Sequence, residues 1–365
     1  MRLIQFTVSK VWRGHEQKII YLYETFRDNH YIEDQIIVCP LDSEIYKVAL
    51  EKKLKVITID VKSKLRAAKE LKMIADDFNS DLLFIHNSKA HTISVLAGVF
   101  YNLKIPMALC RTLIVRVDTN FFRKWKYNYE GIKKIICITQ PVVDVLKYAV
   151  KDHSKLSIVG ILTDIDKFKT SKKTGKLHKE LNIPNDYKII GNIAAFTWFK
   201  DHSTWLRTVK ELKDRNVNAK YVLVGKGEKE AEIRKQVKEL GLDNDVYFLG
   251  FRKDIEEIMP ELDVLLFTSN EEPAGGVILE AYACRTPVVA TNAGGIPEVL
   301  INNETGLMAE VGNHIDFANK VEIVLNDNQL RERLTENGYK FLEENYTKEV
   351  IGKKMIAELN LIIKK

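Results

Sequence analysis

The chain has 365 residues, 45% of them hydrophobic, and this length favours two domains over one. Its four cysteines lie far apart without a CxxC pair, which argues against a structural zinc site or a disulfide framework and indicates a reducing compartment. No apolar stretch reaches the 18 residues or so of a membrane-spanning helix, and the first apolar run is too short for a signal peptide. We therefore expect a cytoplasmic protein.

The net charge of +6 is unevenly placed along the chain. Residues 1–170 hold 28 Lys and Arg against 19 Asp and Glu, whereas the remainder holds 28 against 31. A basic first half favours an anionic partner such as a phosphorylated acceptor, a membrane surface or nucleic acid. A lysine-rich surface without a partner would explain the same numbers.

The first half alternates short apolar runs with amphipathic segments of helical length, which is the pattern of a doubly wound parallel sheet. The predicted strands are 2–8, Gln35–Cys39, Leu54–Ile59, Leu82–Ile85, Met107–Cys110, Lys134–Ile138 and Leu156–Val159. The predicted helices between them are Glu16–Asn29, Lys64–Asn79 and Ala90–Leu103.

A polar, lysine-rich segment, Lys169–Lys176, interrupts this pattern and predicts a linker or a loop near a domain boundary. The alternation then restarts, so we expect a second α/β domain. Its predicted elements are Ile189–Ala194, Ser203–Arg215, Tyr221–Val224, Lys229–Leu240, Val246–Leu249, Val264–Phe267, Val277–Cys284, Pro287–Thr291 and 316–325. Two further helices, 329–345 and 348–364, follow without a strand between them.

The segment from Val264 to Ala281 carries most of the functional information. A buried strand leads into a turn of small residues, and a helix is predicted to open near Gly276. The first N–H groups of a helix are unpaired and attract a phosphate, and glycine allows its close approach. Glu272 and Glu280 bracket this turn, so each is placed to meet a hydroxyl-rich group. Two glutamates at this spacing would mean little without the turn between them.

The residues from Glu272 to Glu298, which include a second glycine pair at Gly294 and Gly295, resemble the EX7E region of the retaining group 1 (GT4) glycosyltransferases. The turn Asn303–Leu307 is similar to the one that follows this motif in the family. The resemblance implies the GT-B fold, an α/β architecture in which two Rossmann-like doubly wound parallel-sheet domains face each other across a cleft.

The resemblance also implies a division of the chain. Residues 1–170 would form the acceptor-side domain and residues 171–345 the domain that binds a nucleotide-diphosphate sugar. Residues 346–365 would form a helix that crosses back to the first domain. No cofactor and no obligatory metal are expected.

Roles in donor binding follow from the resemblance. It implies that Glu280 contacts the donor ribose, and that Glu272 contacts the donor sugar and takes part in catalysis. The loop between them would contact the sugar and phosphates through Ala274, Gly275, Gly276 and Val277.

Other donor contacts are implied by the loops that follow the predicted strands. Lys200 matches the lysine of a basic pair on the donor diphosphate, where its charge would offset that of the leaving group. The arginine of this pair is replaced by Ala195. Gly225 lies in the turn after a strand, and Phe251 and Arg252 lie where the base would bind. The alternative for Lys200 is a surface lysine in a loop.

In the first domain, Gly14 matches a glycine-rich loop near the donor phosphate and the acceptor. Three histidines are candidates for the acceptor side of the cleft: His15, His86 and His91. The alternatives are that His15 is exposed to solvent at the helix start and that His86 and His91 have structural roles. Arg111 lies where relatives often have a histidine, so we expect it to supply charge to the diphosphate or the acceptor.

Residues 111–134 combine seven basic residues with five aromatic ones, against only Asp118 and Glu130. This composition suits an anionic membrane surface or a lipid-diphosphate acceptor, and it would also suit single-stranded nucleic acid. A helix with an aromatic core face and a basic outer face is the alternative without a partner.

The resemblance implies a retaining hexosyltransferase-type enzyme (EC 2.4), and the other features agree with it. It would move a sugar from a nucleotide-diphosphate sugar to a hydroxyl acceptor of a bacterial-type surface polysaccharide, a lipopolysaccharide or a lipid-linked glycan. It would be cytoplasmic or peripheral on the inner face of the membrane, with no nucleic acid as partner. The alternatives are a sugar-nucleotide 2-epimerase of the same fold, a catalytically weak sugar-nucleotide-binding protein and a nucleic-acid-binding module.

Overall fold

A computed structural model describes residues 1–12, 14–115, 117, 120–168 and 171–363 of the chain. These residues form two compact units. Unit 1 consists of Met1–Leu162 and the last helix of the chain, and unit 2 consists of Thr163–Thr347.

Unit 1 is built on a seven-stranded parallel sheet with the strand order β3-β2-β1-β4-β5-β6-β7. The strands are β1 Arg2–Phe6, β2 Asp34–Cys39, β3 Val56–Thr58, β4 Leu82–Ile85, β5 Met107–Arg111, β6 Ile132–Cys137 and β7 Leu156–Ile158. The helices are α1 Gly14–Asp28, α2 Glu44–Glu51, α3 Lys64–Asp77, α4 Ser88–Tyr101, α5 Phe121–Tyr127 and α6 Gln140–Lys147. A 3₁₀ helix covers His153–Lys155.

Unit 2 repeats the design with six parallel strands in the order β10-β9-β8-β11-β12-β13. The strands are β8 Lys188–Ile193, β9 Ala219–Val224, β10 Val246–Gly250, β11 Val264–Phe267, β12 Val288–Thr291 and β13 Leu307–Ala309. The helices are α7 Lys176–Glu180, α8 His202–Asp214, α9 Glu230–Glu239, α10 Ile255–Ile258, α11 Gly276–Ala283, α12 Ile296–Val299, α13 His314–Asn326 and α14 Asn328–Asn345. Further 3₁₀ helices cover Ile165–Lys167, Trp198–Lys200 and Met259–Glu261.

The central strands are hydrophobic at every position because helices cover both faces of a parallel sheet. All four residues of β4 in unit 1 and of β11 in unit 2 are buried. In both units the strand order reverses beside the first strand, between β1 and β4 and between β8 and β11. Loops at the carboxyl ends of such neighbouring strands form the usual ligand-binding crevice of this architecture.

The strands and helices named from the sequence alternation are present, with ends shifted by a few residues. The structure adds several short elements that the sequence analysis did not identify. They are α2, α5, α6, α7, α10, α12 and β13. Elements of one or two turns, or of three strand residues, contain too little periodicity to be recognised in a sequence.

The boundary between the units lies at Leu162 and Thr163, which corrects the predicted boundary at residues 170 and 171. Residues after Leu162 pack into unit 2, where Ile165 and Phe168 are buried and Thr163 forms a β-bridge with Thr347. Of the predicted linker, Lys169 and Thr170 lie outside the described residues. Its last residue, Lys176, begins α7.

The last helix, α15 (Lys348–Ile363), belongs to unit 1. It packs against α1 and β6, and Glu358 forms an ion pair of 3.0 Å with Lys134 of β6. The polypeptide therefore returns to its first unit after completing the second.

Candidate active site

The candidate donor residues of unit 2 lie in loops that follow neighbouring strands. Lys200 ends the 3₁₀ helix after β8, and Glu272 lies in the loop after β11. The two loops are joined by backbone bonds, because the amide of Asn270 donates to the carbonyl of Phe199 at 2.9 Å. The Thr268 hydroxyl also donates to the carbonyl of Asp201 at 3.0 Å. Two segments 70 or so residues apart in sequence therefore form one surface.

The Nζ of Lys200 donates a hydrogen bond to Oε2 of Glu272. Both side chains are largely buried, with exposed fractions of 14% and 10%. The rings of Phe199 and Phe267 lie 5.3 and 4.9 Å from the ammonium group. A charge pair in such surroundings depends on both partners, because removal of one leaves the other buried without compensation. This rules out the alternative of a surface lysine for Lys200.

Glu272 also occupies part of the predicted phosphate-binding turn. Its Oε1 accepts a hydrogen bond of 3.2 Å from the backbone N–H of Gly275, the residue that caps α11. Gly275 has a φ of 67°, in the left-handed region that glycine tolerates. A carboxylate thus lies where the sequence predicted a phosphate, and a donor phosphate would have to share or displace it.

The second glycine pair, Gly294 and Gly295, packs against the loop that contains Glu272. The amide of Gly295 donates to the carbonyl of Glu272 at 2.8 Å. Gly294 has a φ of 56°, and a Cβ atom on it would lie 2.2 Å from the same carbonyl oxygen. Glycine is therefore required at position 294 by the position of the Glu272 carbonyl.

Glu280 lies one turn into α11, away from the Lys200–Glu272 pair, in different electrostatic surroundings. Burial of its carboxyl group raises the pKa from 4.5 to about 7, an effect that Lys167 opposes and Glu256 reinforces. Lys167 and Glu256 pair with each other at 2.9 Å. The Glu280 carboxyl is thus held without a full countercharge, although the residue as a whole is partly exposed.

Gly225 is fixed by packing against the loop that leads to Lys200. It has a φ of 147°, and a Cβ atom on it would lie 1.9 Å from the carbonyl oxygen of Ala194. Its amide donates to the carbonyl of Gly250 at 2.8 Å. The glycine therefore has a structural reason to be present, beside any contact with the donor.

Phe251 and Arg252 follow β10 and differ in their availability. Phe251 is 64% exposed. The Arg252 guanidinium binds Glu180 at 2.5 Å and Asp254 at 2.7 Å, and these carboxylates raise its pKa. The Arg252 side chain is thus occupied by ion pairs within unit 2. A donor contact of Arg252 would therefore be made by its backbone.

In unit 1, Gly14 begins α1 and has open space where a side chain would lie. His15 and His86 come together, with ring centroids 5.8 Å apart. His86 is fully buried, and neither ring nitrogen of either histidine makes a hydrogen bond within the described residues. This contradicts both alternatives considered for these histidines, a satisfied structural role for His86 and an exposed position for His15.

Lys18, which the sequence analysis missed, lies beside these histidines. It is 6% exposed, and its ammonium group donates a long hydrogen bond of 3.8 Å to Sγ of Cys110. Its position one turn after His15 was the available signal, since residues three apart share a helix face. Arg111, at the end of β5, donates from Nη2 to the carbonyl of Val115 at 3.1 Å, and its Nε has no partner among the described residues.

His91 is a structural residue, which corrects its assignment to the acceptor side. It is fully buried, and its Nε2 lies 3.1 Å from the carbonyl oxygen of Lys126. Its ring packs edge-on against Tyr127 at 5.0 Å. The helical periodicity of α4 turns His91 toward α5.

Within the described ranges, no group of three or more His, Cys, Asp and Glu side chains could hold a metal ion. Across the same part of the chain, every helix is too short or too polar to cross a bilayer.

Replacing Gly294 by Ala should displace the Glu272 loop, because the new methyl group would overlap the Glu272 carbonyl. We expect a loss of unfolding free energy of about 1–3 kcal/mol. Gly312 is the matched control, because it has a similar φ of 73° but open space around it. Gly312→Ala should lower the free energy of unfolding by about 1 kcal/mol, the cost of a left-handed backbone for alanine. Urea denaturation measures both. Equal losses would contradict the proposed contact.

Glu280→Gln should stabilise the protein in a pH-dependent manner. The folded-state pKa of about 7 exceeds the ordinary 4.5, so the folded protein binds more protons and loses stability as pH rises from 4.5 through 7. The glutamine variant lacks this loss. Its stability relative to the wild type should therefore be greater at pH 8 than at pH 5 in urea titrations. A difference independent of pH would show that the carboxyl is not desolvated.

Comparison with protein families and solved structures agrees with this geometry. Residues 173–341 match the model of the family "Glycosyl transferases group 1". N-acetyl-alpha-D-glucosaminyl L-malate synthase from Bacillus anthracis is 26% identical over 79% of this chain and 76% of its own length. The capsular polysaccharide biosynthesis glycosyltransferase CapM from Staphylococcus aureus is 26% identical over 98% and 96%.

The fold as a whole is shared with solved glycosyltransferase structures. HepE from Anabaena, crystallised with UDP and glucose, superimposes with a TM-score of 0.85 over 99% of both chains at 20% identity. The predicted GT-B architecture of two parallel-sheet α/β domains is thereby confirmed. Residues 173–341, which contain Lys200, Glu272 and Glu280, are therefore the part of the chain that matches the group 1 glycosyltransferase family.

Proposed function

We propose that the protein is a glycosyltransferase, which transfers a hexose-type unit from a nucleotide-diphosphate sugar to a hydroxyl group with retention of the anomeric configuration. The bond from the anomeric carbon to the diphosphate oxygen breaks. A bond from that carbon to the acceptor oxygen forms, and the hydroxyl proton passes to the departing diphosphate. The observation that carries this proposal is the arrangement around α11, where Glu272, Lys200 and the Gly275 amide meet one turn before Glu280.

Each group in this arrangement has a task in the proposed reaction. Lys200 offsets the negative charge that develops on the leaving diphosphate, which makes a metal ion unnecessary. Glu272 offers its carboxylate to a hydroxyl of the sugar when the phosphates engage Lys200. Glu280 accepts hydrogen bonds from the ribose hydroxyls, which favours its ionised form and lowers its raised pKa. Arg111 keeps its proposed role of adding charge near the diphosphate or the acceptor.

We propose an acceptor that belongs to a surface polysaccharide, a lipopolysaccharide or a lipid-linked glycan. The likeness to CapM, a capsular polysaccharide glycosyltransferase, supports this class. The name of the Bacillus anthracis relative adds L-malate, an acidic hydroxyl compound. The basic first half of the chain favours an acceptor that carries negative charge.

Release of free nucleoside diphosphate tests the proposal. Purified protein is incubated with UDP-, GDP- and ADP-glucose and a lipid extract of bacterial cells. Lys200→Met should lower turnover by two to three orders of magnitude, about the effect of losing one preorganised group at a developing charge. Glu280→Ala should weaken donor binding about tenfold or more, whereas Glu271→Ala, at an exposed neighbouring acid, should change neither.

The alternatives give different results in this assay. A 2-epimerase would convert the donor into its C2 epimer without net release of nucleoside diphosphate, and chromatographic separation of the sugar nucleotides would reveal the epimer. A sugar-nucleotide-binding protein would bind a donor in a thermal-shift assay and release nothing. If no donor binds and Glu280→Ala has no effect, the transferase proposal is wrong.

We further propose that residues 111–134 contact an anionic membrane surface, with α5 as the inserting element. Phe121 and Phe122, in its first turn, are 85% and 47% exposed, whereas the aromatic-core alternative requires buried side chains. Burial, together with the smaller effect of the neighbouring cations Arg111, Arg123 and Lys64, lowers the pKa of Lys126 to about 8. The effect of these cations on the pKa shows that the charges around Lys126 are positive. Arg116 and Asp118 of this segment lie outside the described residues.

Sedimentation with vesicles of phosphatidylserine and phosphatidylcholine at low salt tests this contact. The double variant Phe121→Ser/Phe122→Ser should bind at least about tenfold more weakly, since each inserted Phe contributes about 1.5–3 kcal/mol. Phe100→Ser, at a residue of α4 that is 62% exposed, is the control and should bind like the wild type. Absence of wild-type binding to anionic vesicles would contradict membrane contact without affecting the proposed reaction.

A further inference from the structure

We propose that unit 1 contains a binding site for an oxyanion of the acceptor, a carboxylate or a phosphate, formed by His15, Lys18 and His86. This inference rests on the proposed function for its statement that the ligand is the acceptor. The site itself is inferred from the contacts of unit 1 alone.

The first observation is a buried ammonium group, that of Lys18, for which no carboxylate partner is found among the residues that the structure describes. Its only hydrogen-bond partner there is the sulfur of Cys110 at 3.8 Å, and sulfur is a weak acceptor. An ammonium removed from water needs compensation by an anion or by strong acceptors. A bound oxyanion would provide that compensation.

The second observation is a pair of unsatisfied imidazoles. His86 is 2% exposed, and both of its ring nitrogens are buried without a hydrogen-bond partner in the described ranges. The same holds for both ring nitrogens of His15, although the backbone of His86 approaches them closely enough to raise its pKa slightly. A buried polar group left unpaired costs about 1–3 kcal/mol. Such groups in a native protein point to a missing partner.

The third observation is that these groups converge at the start of a long helix. α1 has 15 residues, and Gly14, His15 and Lys18 lie in its first turn and a half. The N–H groups at a helix start favour an anion. The start of α1 is open at Gly14, where a Cβ atom would meet nothing within 4 Å. His86 comes directly after β4 and beside β1 in the sheet, so it faces the same turn.

The charge of the site selects an oxyanion over a metal ion. Burial and the Lys18 charge lower the pKa of His15 to about 4. Burial, His15 and Lys18 together lower the pKa of His86. The ring nitrogens therefore carry no proton charge at neutral pH, yet each neutral ring offers one N–H donor. A metal cation would be repelled by the ammonium of Lys18, whereas an oxyanion accepts hydrogen bonds from all three side chains.

NMR observation of the histidine ring carbons of the full chain provides a test that needs no catalysis. Orthophosphate and L-malate serve as probes at millimolar concentration. We expect both probes to shift the His15 and His86 signals, assigned with His15→Gln and His86→Gln. Absence of any shift of these two signals at saturating probe would overturn the site.

Lys18→Met distinguishes the source of the anion. We expect it to weaken malate and phosphate binding about tenfold or more and to leave UDP binding unchanged, while Lys200→Met should do the reverse. If Lys18→Met weakens UDP binding as strongly as malate binding, the anion belongs to the donor and the acceptor assignment is wrong. If Lys18→Met does not fold, His86→Asn replaces it with the same expectations.

The outcome is separable from that of the proposed function. A chain that binds malate at His15 and His86 but releases no nucleoside diphosphate would retain the oxyanion site and lose the transferase proposal. A chain that transfers sugar with normal acceptor affinity after Lys18→Met would retain the reaction and lose the site.

Discussion

The candidate donor site depends on the position of one residue, Glu272. Its carboxylate holds the Lys200 ammonium and the Gly275 amide, and its carbonyl accepts from the Gly295 amide. Three loops, from the carboxyl ends of β8, β11 and β12, are joined through this residue. Because its carboxylate is largely removed from water, each bond depends on the others for compensation. The loops are therefore held in one geometry by contacts within unit 2.

The two glutamates of the motif have contrasting environments that suit different tasks. Glu272 is bound by the Lys200 ammonium and by the Gly275 amide at the start of α11, so its side chain is held in one orientation. Glu280 is desolvated without a full countercharge, and its pKa is raised to about 7. A hydroxyl-rich ligand that donates hydrogen bonds to Glu280 would relieve this unfavourable state. Hydrogen bonds to Glu280 would therefore add to the affinity for a ligand, whereas Glu272 fixes the positions of the loops around it.

The units share an architecture and differ in how they treat charge. In unit 2 the central cation is paired with a carboxylate, and Arg252 is saturated by Glu180 and Asp254. In unit 1 the ammonium of Lys18 has no carboxylate partner among the described residues, and two imidazoles beside it are unsatisfied. Some of the positive charge of residues 1–170 thus lies in the interior of unit 1, at Lys18, as well as on its surface.

The fold class could be predicted from the amino-acid sequence, because hydrophobic alternation and turn glycines reflect the local conformation of the chain. Candidate donor residues could be located for the same reason, since a strand-to-helix turn is a local pattern; they are Glu272, Glu280, Lys200 and Gly275. Which side chains meet depends on the tertiary structure. It paired Lys200 with Glu272 over 72 positions, placed His91 in the core, and brought Lys18 beside His86, since burial and charge compensation depend on neighbours distant in sequence. It also moved the boundary between the units to Leu162, because the packing of Ile165 and Phe168, and not the lysine-rich composition after them, determines where unit 2 begins.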